Sequence, residues 1–161
     1  MTGRRIPAAV LLGALALGCG APRAALGPAR DGAQRLAGLR FRTPVEGSVA
    51  SGFGGRGAAR HAGVDILAPR GTPVRASERG TVVYAGNGMR GYGNAVVIDH
   101  GGGVTTLYGH LDAIRVESGD AVPAGAVIGT VGRTGNATTY HVHFEIRVDG
   151  EPVDPLGLLA T

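Results

Sequence analysis

Residues 141–148 read His-Val-His-Phe-Glu-Ile-Arg-Val, with polar and apolar residues in unbroken alternation. A side-chain period of two belongs to a β-strand, and a helix cannot gather such a pattern onto one face. The pattern predicts a half-buried strand, with Val142, Phe144, Ile146 and Val148 on a core. His141, His143, Glu145 and Arg147 then share the opposite face. Two imidazoles at i and i+2 on a rigid strand can hold a metal ion, or place one ligand beside one base. A lone His-x-His is as often a pair of surface histidines, so the rest of the chain has to decide.

The rest of the chain favours strands. Thirty glycines punctuate short apolar bursts such as Thr81-Val82-Val83-Tyr84, Ala95-Val96-Val97-Ile98 and Ala126-Val127-Ile128-Gly129. Gly, Pro, Asn or Asp bounds each burst, as strand ends require. No amphipathic helix is legible within 41–157, although a short helical turn fits residues 155–159. The expected fold is all-β: one antiparallel β-sheet domain, with Gly-rich loops walling a groove over the sheet.

Four of the five histidines fall in compact, Gly-rich settings. His61 and Asp65 lie in His-Ala-Gly-Val-Asp, and His110 in Leu-Tyr-Gly-His-Leu. Zinc favours imidazole nitrogen and carboxylate oxygen, typically three protein ligands plus water in a catalytic site. His61, Asp65 and one of the two strand histidines would make that set. Gly63 argues against a helix here, but on a strand i and i+4 also share a face, so the spacing is compatible with one.

Taken in order, these pieces carry a resemblance. Ser51-Gly52-Phe53-Gly54, His61-x₃-Asp65, Tyr108-Gly109-His110-Leu111 and His141-x-His143-Phe144-Glu145 follow one another along the chain. Between them lie Gly71-Thr72-Pro73-Val74, Gly119-Asp120-x-Val122 and Gly129-x-Val131-Gly132-x-Thr134-Gly135. Each motif alone is weak, but the ordered set resembles the LytM/lysostaphin-type zinc metallopeptidases of family M23, over roughly residues 41–157. The resemblance implies a LytM/duplicated hybrid motif fold and Zn2+ held by His61, Asp65 and His143. It implies His110 and His141 as the catalytic histidines. It also implies hydrolysis of peptide cross-links in peptidoglycan, whose stem peptides would be the substrate. Relatives that only bind the wall or activate other hydrolases have often lost ligands, whereas all five positions are filled here.

The N-terminus reads as an address. Arg4 and Arg5 precede an apolar run from Ala8 to Leu17, too short to be a comfortable membrane span. The run ends at Ala16-Leu17-Gly18-Cys19, which resembles a lipoprotein cleavage site with alanine in the usual leucine position. Residues 1–18 are therefore expected to be a signal peptide, 19–40 a linker and 41–161 the peptidase domain. Cys19 becomes a lipid anchor, or is incidental to a plain secretory signal. Either way the product is exported, to the periplasm or cell surface. Cys19 is the only cysteine, so no intramolecular disulfide forms.

Charge narrows the partners. The formal charge of +4 falls to +2 when Arg4 and Arg5 leave with the signal. That suits a mildly anionic polymer and argues against nucleic acid, which calls for clustered basic residues interleaved with aromatics. A monomer is expected. All sixteen basic residues are arginine, so a biotinyl or lipoyl carrier, which needs a lysine, is excluded. A cupin needs a further histidine downstream, and none follows His143.

No His-Glu-x-x-His helix supplies a glutamate base, and an imidazole can act in its place because its pKa lies near working pH. His141 is expected to accept the water proton and His110 to orient the water or stabilise the oxyanion, or the reverse. Tyr92, Asn94 and Tyr140 are candidate substrate contacts, although turn and packing roles fit them as well. His100 reads as structural. Glu145 fits a hydrogen bond to a ligand or a salt bridge to an arginine, and Arg56 a substrate carboxylate or solvent.

Overall fold

The computed structural model describes residues 32–56 and 59–160. A short helix, α1 (Gly32–Leu36), precedes β1 (Phe41–Arg42), β2 (Ser48–Ser51), β3 (Gly54–Arg56), β4 (Ala59–His61) and β5 (Val64–Leu67). Next come β6 (Pro73–Arg75), β7 (Gly80–Gly86), β8 (Asn94–Asp99), β9 (Val104–Leu111) and β10 (Ala113–Ile114). The chain ends with β11 (Ala121–Val122), β12 (Val127–Thr130), β13 (His141–Val148), β14 (Glu151–Val153) and β15 (Leu159–Ala160).

The main sheet has eight strands in the order β11-β7-β8-β9-β13-β5-β2, with β14 added on β13. All its pairings are antiparallel. The fold is all-β, as the sequence predicts, but the one expected sheet is accompanied by smaller ones. The antiparallel set β10-β12-β6 supplies Val74 and Ile128 to the same buried cluster as Phe144 and Ile146, closing the core. The hairpin β3–β4 stands beside the site, and β1 pairs with β15 in parallel.

The alternating octet is β13, between β9 and β5. Val142, Phe144 and Ile146 are fully buried on its core side, and Tyr108 packs on Phe144 with ring centroids 5.3 Å apart. The polar side is covered too. His141, His143 and Glu145 are buried, and only Arg147 keeps partial exposure. A strand expected to be half-buried is therefore buried on both faces, because loops cover its polar side.

Part of the expected linker lies among the described residues. Leu36 and Leu39 pack against the core, and Arg35 pairs with Asp149 at 3.1 Å while donating to the Gly102 carbonyl. Packing thus reaches back to α1 rather than starting at 41. The leader, Cys19 and residues 20–31 lie outside the described residues. The turn expected near 155–159 is present: the Leu158 and Leu159 amides both donate to the Pro155 carbonyl, and β15 follows.

His100 closes a buried polar chain far from the other histidines. Its Nδ1–H donates to the Arg79 carbonyl at 2.7 Å, and its Nε2 lies 2.8 Å from Thr106 Oγ1. Thr106 Oγ1 is 3.0 Å from the Tyr108 hydroxyl, which accepts the Ser77 amide. Burial holds the His100 pKa below its ordinary value. The unfolded chain therefore takes up a proton that the folded chain resists. This contribution is fully present above pH about 6.5 and is lost progressively as pH falls below it. The thermal midpoint is expected to drop less steeply between about pH 7.5 and 5.5 in His100→Gln than in the parent, measured by calorimetry.

Between β4 and β5 the backbone presses against β13. A Cβ on Gly63 would lie 2.2 Å from the Phe144 oxygen and 2.9 Å from its carbonyl carbon. Gly63→Ala is expected to cost about 1–3 kcal/mol and to lower the thermal midpoint by roughly 5 °C or more. An unchanged midpoint would contradict the close approach.

Candidate metal centre and groove

Register creates the site. On β13, His143 lies directly opposite Asp65 of β5 and Gly109 of β9. Cross-strand partners share a face, so the Asp65 carboxylate reaches His143 Nδ1 at 2.9 Å. His61 arrives differently from the sequence expectation. It ends β4, and Ala62-Gly63 turns the chain before Asp65 in β5, so the two residues do not share one strand. The turn brings His61 Nε2 to 3.1 Å from both Asp65 Oδ1 and His143 Nδ1.

These three atoms fit a metal ion. His61 Nδ1–H donates to the Gly52 carbonyl at 2.7 Å, which leaves Nε2 as a lone pair facing inward. His143 gives its Nε2–H to Glu145 at 2.9 Å, which leaves Nδ1 facing inward. Two imidazole lone pairs and a carboxylate oxygen then converge and repel one another unless a positive charge sits among them. A tetrahedral ion with bonds of roughly 2.0–2.1 Å needs ligand atoms about 3.3 Å apart, close to the spacing found. The outer partners, a carbonyl and a carboxylate, fix the tautomer of each ligand.

His110 reaches the site through a break in strand alternation. Tyr108 faces the core, and two steps further His110 would follow it there. Instead His110 has φ 63, in the left-handed region. Val96 of β8 faces Tyr108 and Asn94 faces Leu111, so two steps on β8 oppose three on β9, a one-residue bulge. The bulge sends Leu111 into the core and turns His110 to the other face. Its ring centroid lies 4.7 Å from that of His141 and 5.9 Å from that of His143.

Both remaining histidines are held in one tautomer. His110 Nδ1–H donates to the Thr134 carbonyl at 2.8 Å, and His141 Nδ1–H to the Thr139 carbonyl at 3.0 Å. Their Nε2 atoms are left as acceptors, and that of His141 lies 3.7 Å from Asp65 Oδ1. Burial lowers the pKa of His110 and keeps its ring neutral. In the metal-free protein His143 can instead carry a proton on Nδ1 toward Asp65: burial would lower its pKa, but hydrogen bonds to the Asp65 and Glu145 carboxylates outweigh it and hold that pKa above its ordinary value.

Glu145 makes both contacts that the sequence suggested. Its carboxylate is fully buried, accepting from His143 and Tyr92 on one oxygen and from Arg147 on the other. Burial alone would raise its pKa, yet these three donors hold it below the ordinary carboxylate range.

Two clefts meet at the ligands. One, of about 440 Å³, is walled by Ala50, Ser51, Leu67 and the loop Asn136-Ala137-Thr138-Thr139. The other, of about 280 Å³, is walled by Arg60, Arg90, Gly91, Tyr92 and Asn136. Of the candidate substrate contacts, Tyr92 lines the second cleft while its hydroxyl donates to Glu145 at 2.8 Å. Asn94 and Tyr140 line neither. Asn94 spends its amide on the Leu111 and Asp112 carbonyls, and Tyr140 lies under Arg133 at 5.4 Å. The side chain of Arg56 is outside the described residues. Arg60, Arg90 and the 136–139 loop went unread in the sequence. The turn-forming run from Gly132 to Asn136 was the one signal for that loop.

Residues 59–155 match the description Peptidase family M23, and the chain belongs to that family. It is 50% identical over 98 residues to the DD-carboxypeptidase/endopeptidase Mpg of Neisseria meningitidis serogroup B, covering 61% of this chain and 22% of that protein. It is 41% identical over 119 residues to the murein hydrolase activator NlpD of Escherichia coli K12, covering 74% of this chain and 31% of that protein. A zinc containing peptidase from Vibrio cholerae superposes with a TM-score of 0.68 at 33% identity, over 76% of this chain and 40% of that one. The chain spans a third or less of the length of these two curated relatives.

Removing the Glu145 carboxylate leaves His143 and Arg147 without their buried acceptor. Glu145→Ala is expected to cost about 3 kcal/mol or more, lowering the thermal midpoint of the metal-free protein by roughly 10 °C. Glu145→Gln keeps an acceptor oxygen and should lose less. Equal midpoints for all three proteins in chelator would refute this reading of Glu145.

Proposed function

We propose that the protein is a zinc-dependent endopeptidase that hydrolyses peptide cross-links of bacterial peptidoglycan. The observation that carries this reading is the pairing of a candidate three-ligand set, His61, Asp65 and His143, with two further histidines whose Nδ1–H groups are committed to backbone carbonyls. Zinc is the proposed ion because two imidazoles and one carboxylate are the donors it prefers, with a position left for water. Bound there, zinc would polarise the peptide carbonyl and lower the pKa of water toward neutrality.

The chain's own residues handle the protons. With Nδ1–H committed to a carbonyl, neither His110 nor His141 can donate from Nε2 while neutral. His141, with its Nε2 3.7 Å from Asp65 Oδ1, takes the proton of the attacking water and then holds it for the leaving amine. His110, kept neutral by burial, accepts a hydrogen bond from the same water and fixes its direction. The two clefts on either side of the ligands suit an extended peptide.

The bond proposed is the D-alanyl–diaminopimelate cross-link, with a glycine bridge as the alternative; the DD-carboxypeptidase/endopeptidase among the relatives supports the former. Export is part of the proposal, with Cys19 as the lipid-anchored residue. A murein hydrolase activator among the relatives supports a second reading, a wall-binding or activator module without cleavage.

Purified cross-linked peptidoglycan is digested with the full chain, with zinc or with chelator, and read by mass spectrometry. Dimeric muropeptides should become monomers only with zinc, and the fragment masses name the bond. His110→Ala and His141→Ala should bind one zinc yet lose about 100-fold or more in rate. No cleavage despite stoichiometric zinc would favour the activator, and full activity without zinc would end the ligand assignment.

A further inference from the structure

The two clefts that meet at the ligands differ in charge. Apart from the imidazoles and Asp65, the larger one is walled by neutral residues: Ala50, Ser51, Leu67 and the 136–139 loop. The smaller one is walled by two exposed arginines, Arg60 and Arg90, and by Glu145. Glu145 is engaged by His143, Tyr92 and Arg147 and makes no ion pair with Arg60 or Arg90. Arg35, Arg70 and Arg147 are paired with carboxylates, whereas Arg60 and Arg90 have no such partner among the described residues. Arg60 is steadied over the Phe53 ring at 5.5 Å, and its neighbour His61 is a ligand. Two guanidinium groups without a carboxylate partner thus line the same end of the groove. Their planar forks match a carboxylate.

We infer that Arg60 and Arg90 form a carboxylate subsite, so that the bound peptide carries a free carboxylate on one fixed side of the bond to be cut. This inference rests on the peptidase reading and adds polarity to it. The neutral cleft takes the uncharged segment and the basic cleft the anionic one. The carboxylate has two sources, a diamino diacid within the stem or the C-terminus of the chain. Both present the same chemistry to the arginines.

The test uses the full chain with zinc and two pairs of cross-linked peptides. In one pair the diamino acid carboxylate is free or amidated, and in the other the C-terminal carboxylate is. The parent protein should prefer the free acid of one pair by about tenfold or more in kcat/KM. Arg60→Gln with Arg90→Gln should bring that ratio close to one, and rising salt should shrink the preference in the parent. The pair that responds identifies the source. Equal rates for acid and amide in both pairs, or a preference that survives in the double variant, would overturn the subsite. If no peptide is cut, the peptidase reading has failed, and calorimetric binding of the same pairs then decides. A binding preference for the acid that vanishes in the double variant supports the subsite, and equal or undetectable binding overturns it. Comparison of acid and amide on the parent protein stands even if a variant misfolds.

Discussion

A polar stripe buried on a central strand has to be satisfied group by group, and here that requirement shapes everything around it. His141, His143 and Glu145 on β13 have almost no access to water. An unsatisfied buried polar group costs about 1–3 kcal/mol, and a charge more. Each neighbour of β13 therefore supplies a partner. β5 brings Asp65, the 91–94 loop brings Tyr92, and the segment after β12 brings the Thr139 carbonyl. Glu145, which lines the smaller cleft, is the anchor of this set. It fixes His143 on one side and is neutralised by Arg147 on the other.

The loops that cover the stripe are locked to one another. Thr134 donates its hydroxyl to the Leu111 carbonyl, accepts the Asn94 amide, and offers its carbonyl to His110. Gly93, at φ 64, sits so close to this segment that a Cβ would meet Thr134 Oγ1 at 2.4 Å and the Gly135 nitrogen at 2.5 Å. Asn94 and Gly93 thus hold the wall in place rather than touch what lies in the groove. Their position in the sequence, beside Tyr92, made them resemble groove residues, and only the contacts across the chain separate the two roles.

Much of this was legible in the residues. The octet set the core side of β13, the apolar bursts became β7, β8 and β12, and the five residues singled out, His61, Asp65, His110, His141 and His143, lie together in the fold. What was missed follows a physical rule. Alternation tells which residues share a face of one strand but not what covers that face, so the burial of the polar side was not visible. Spacing arguments also assume an unbroken element. His61 and Asp65 come together across a turn, and His110 reaches the site only because a bulge shifts the phase of β9 by one residue. The packing of α1 was out of reach for a similar reason. Leu36 and Leu39 are too few to show a period, yet they find the core through tertiary contact.

The bulge also bears on which function the fold serves. A histidine at φ 63 costs about 1–2 kcal/mol relative to the right-handed conformation, and a surrounding structure must impose it. Metal retention alone gives no reason for that cost, because His110 is outside the ligand set. A wall-binding module needs the groove but no second inward-facing imidazole. Proton transfer does need one, held in a fixed tautomer with its acceptor nitrogen free. The Thr134 carbonyl and the strained backbone together place it there, beside a His141 fixed in the same way by Thr139. The left-handed backbone at His110 is thus a feature that the proposed hydrolase uses and the proposed wall-binding module leaves without a role.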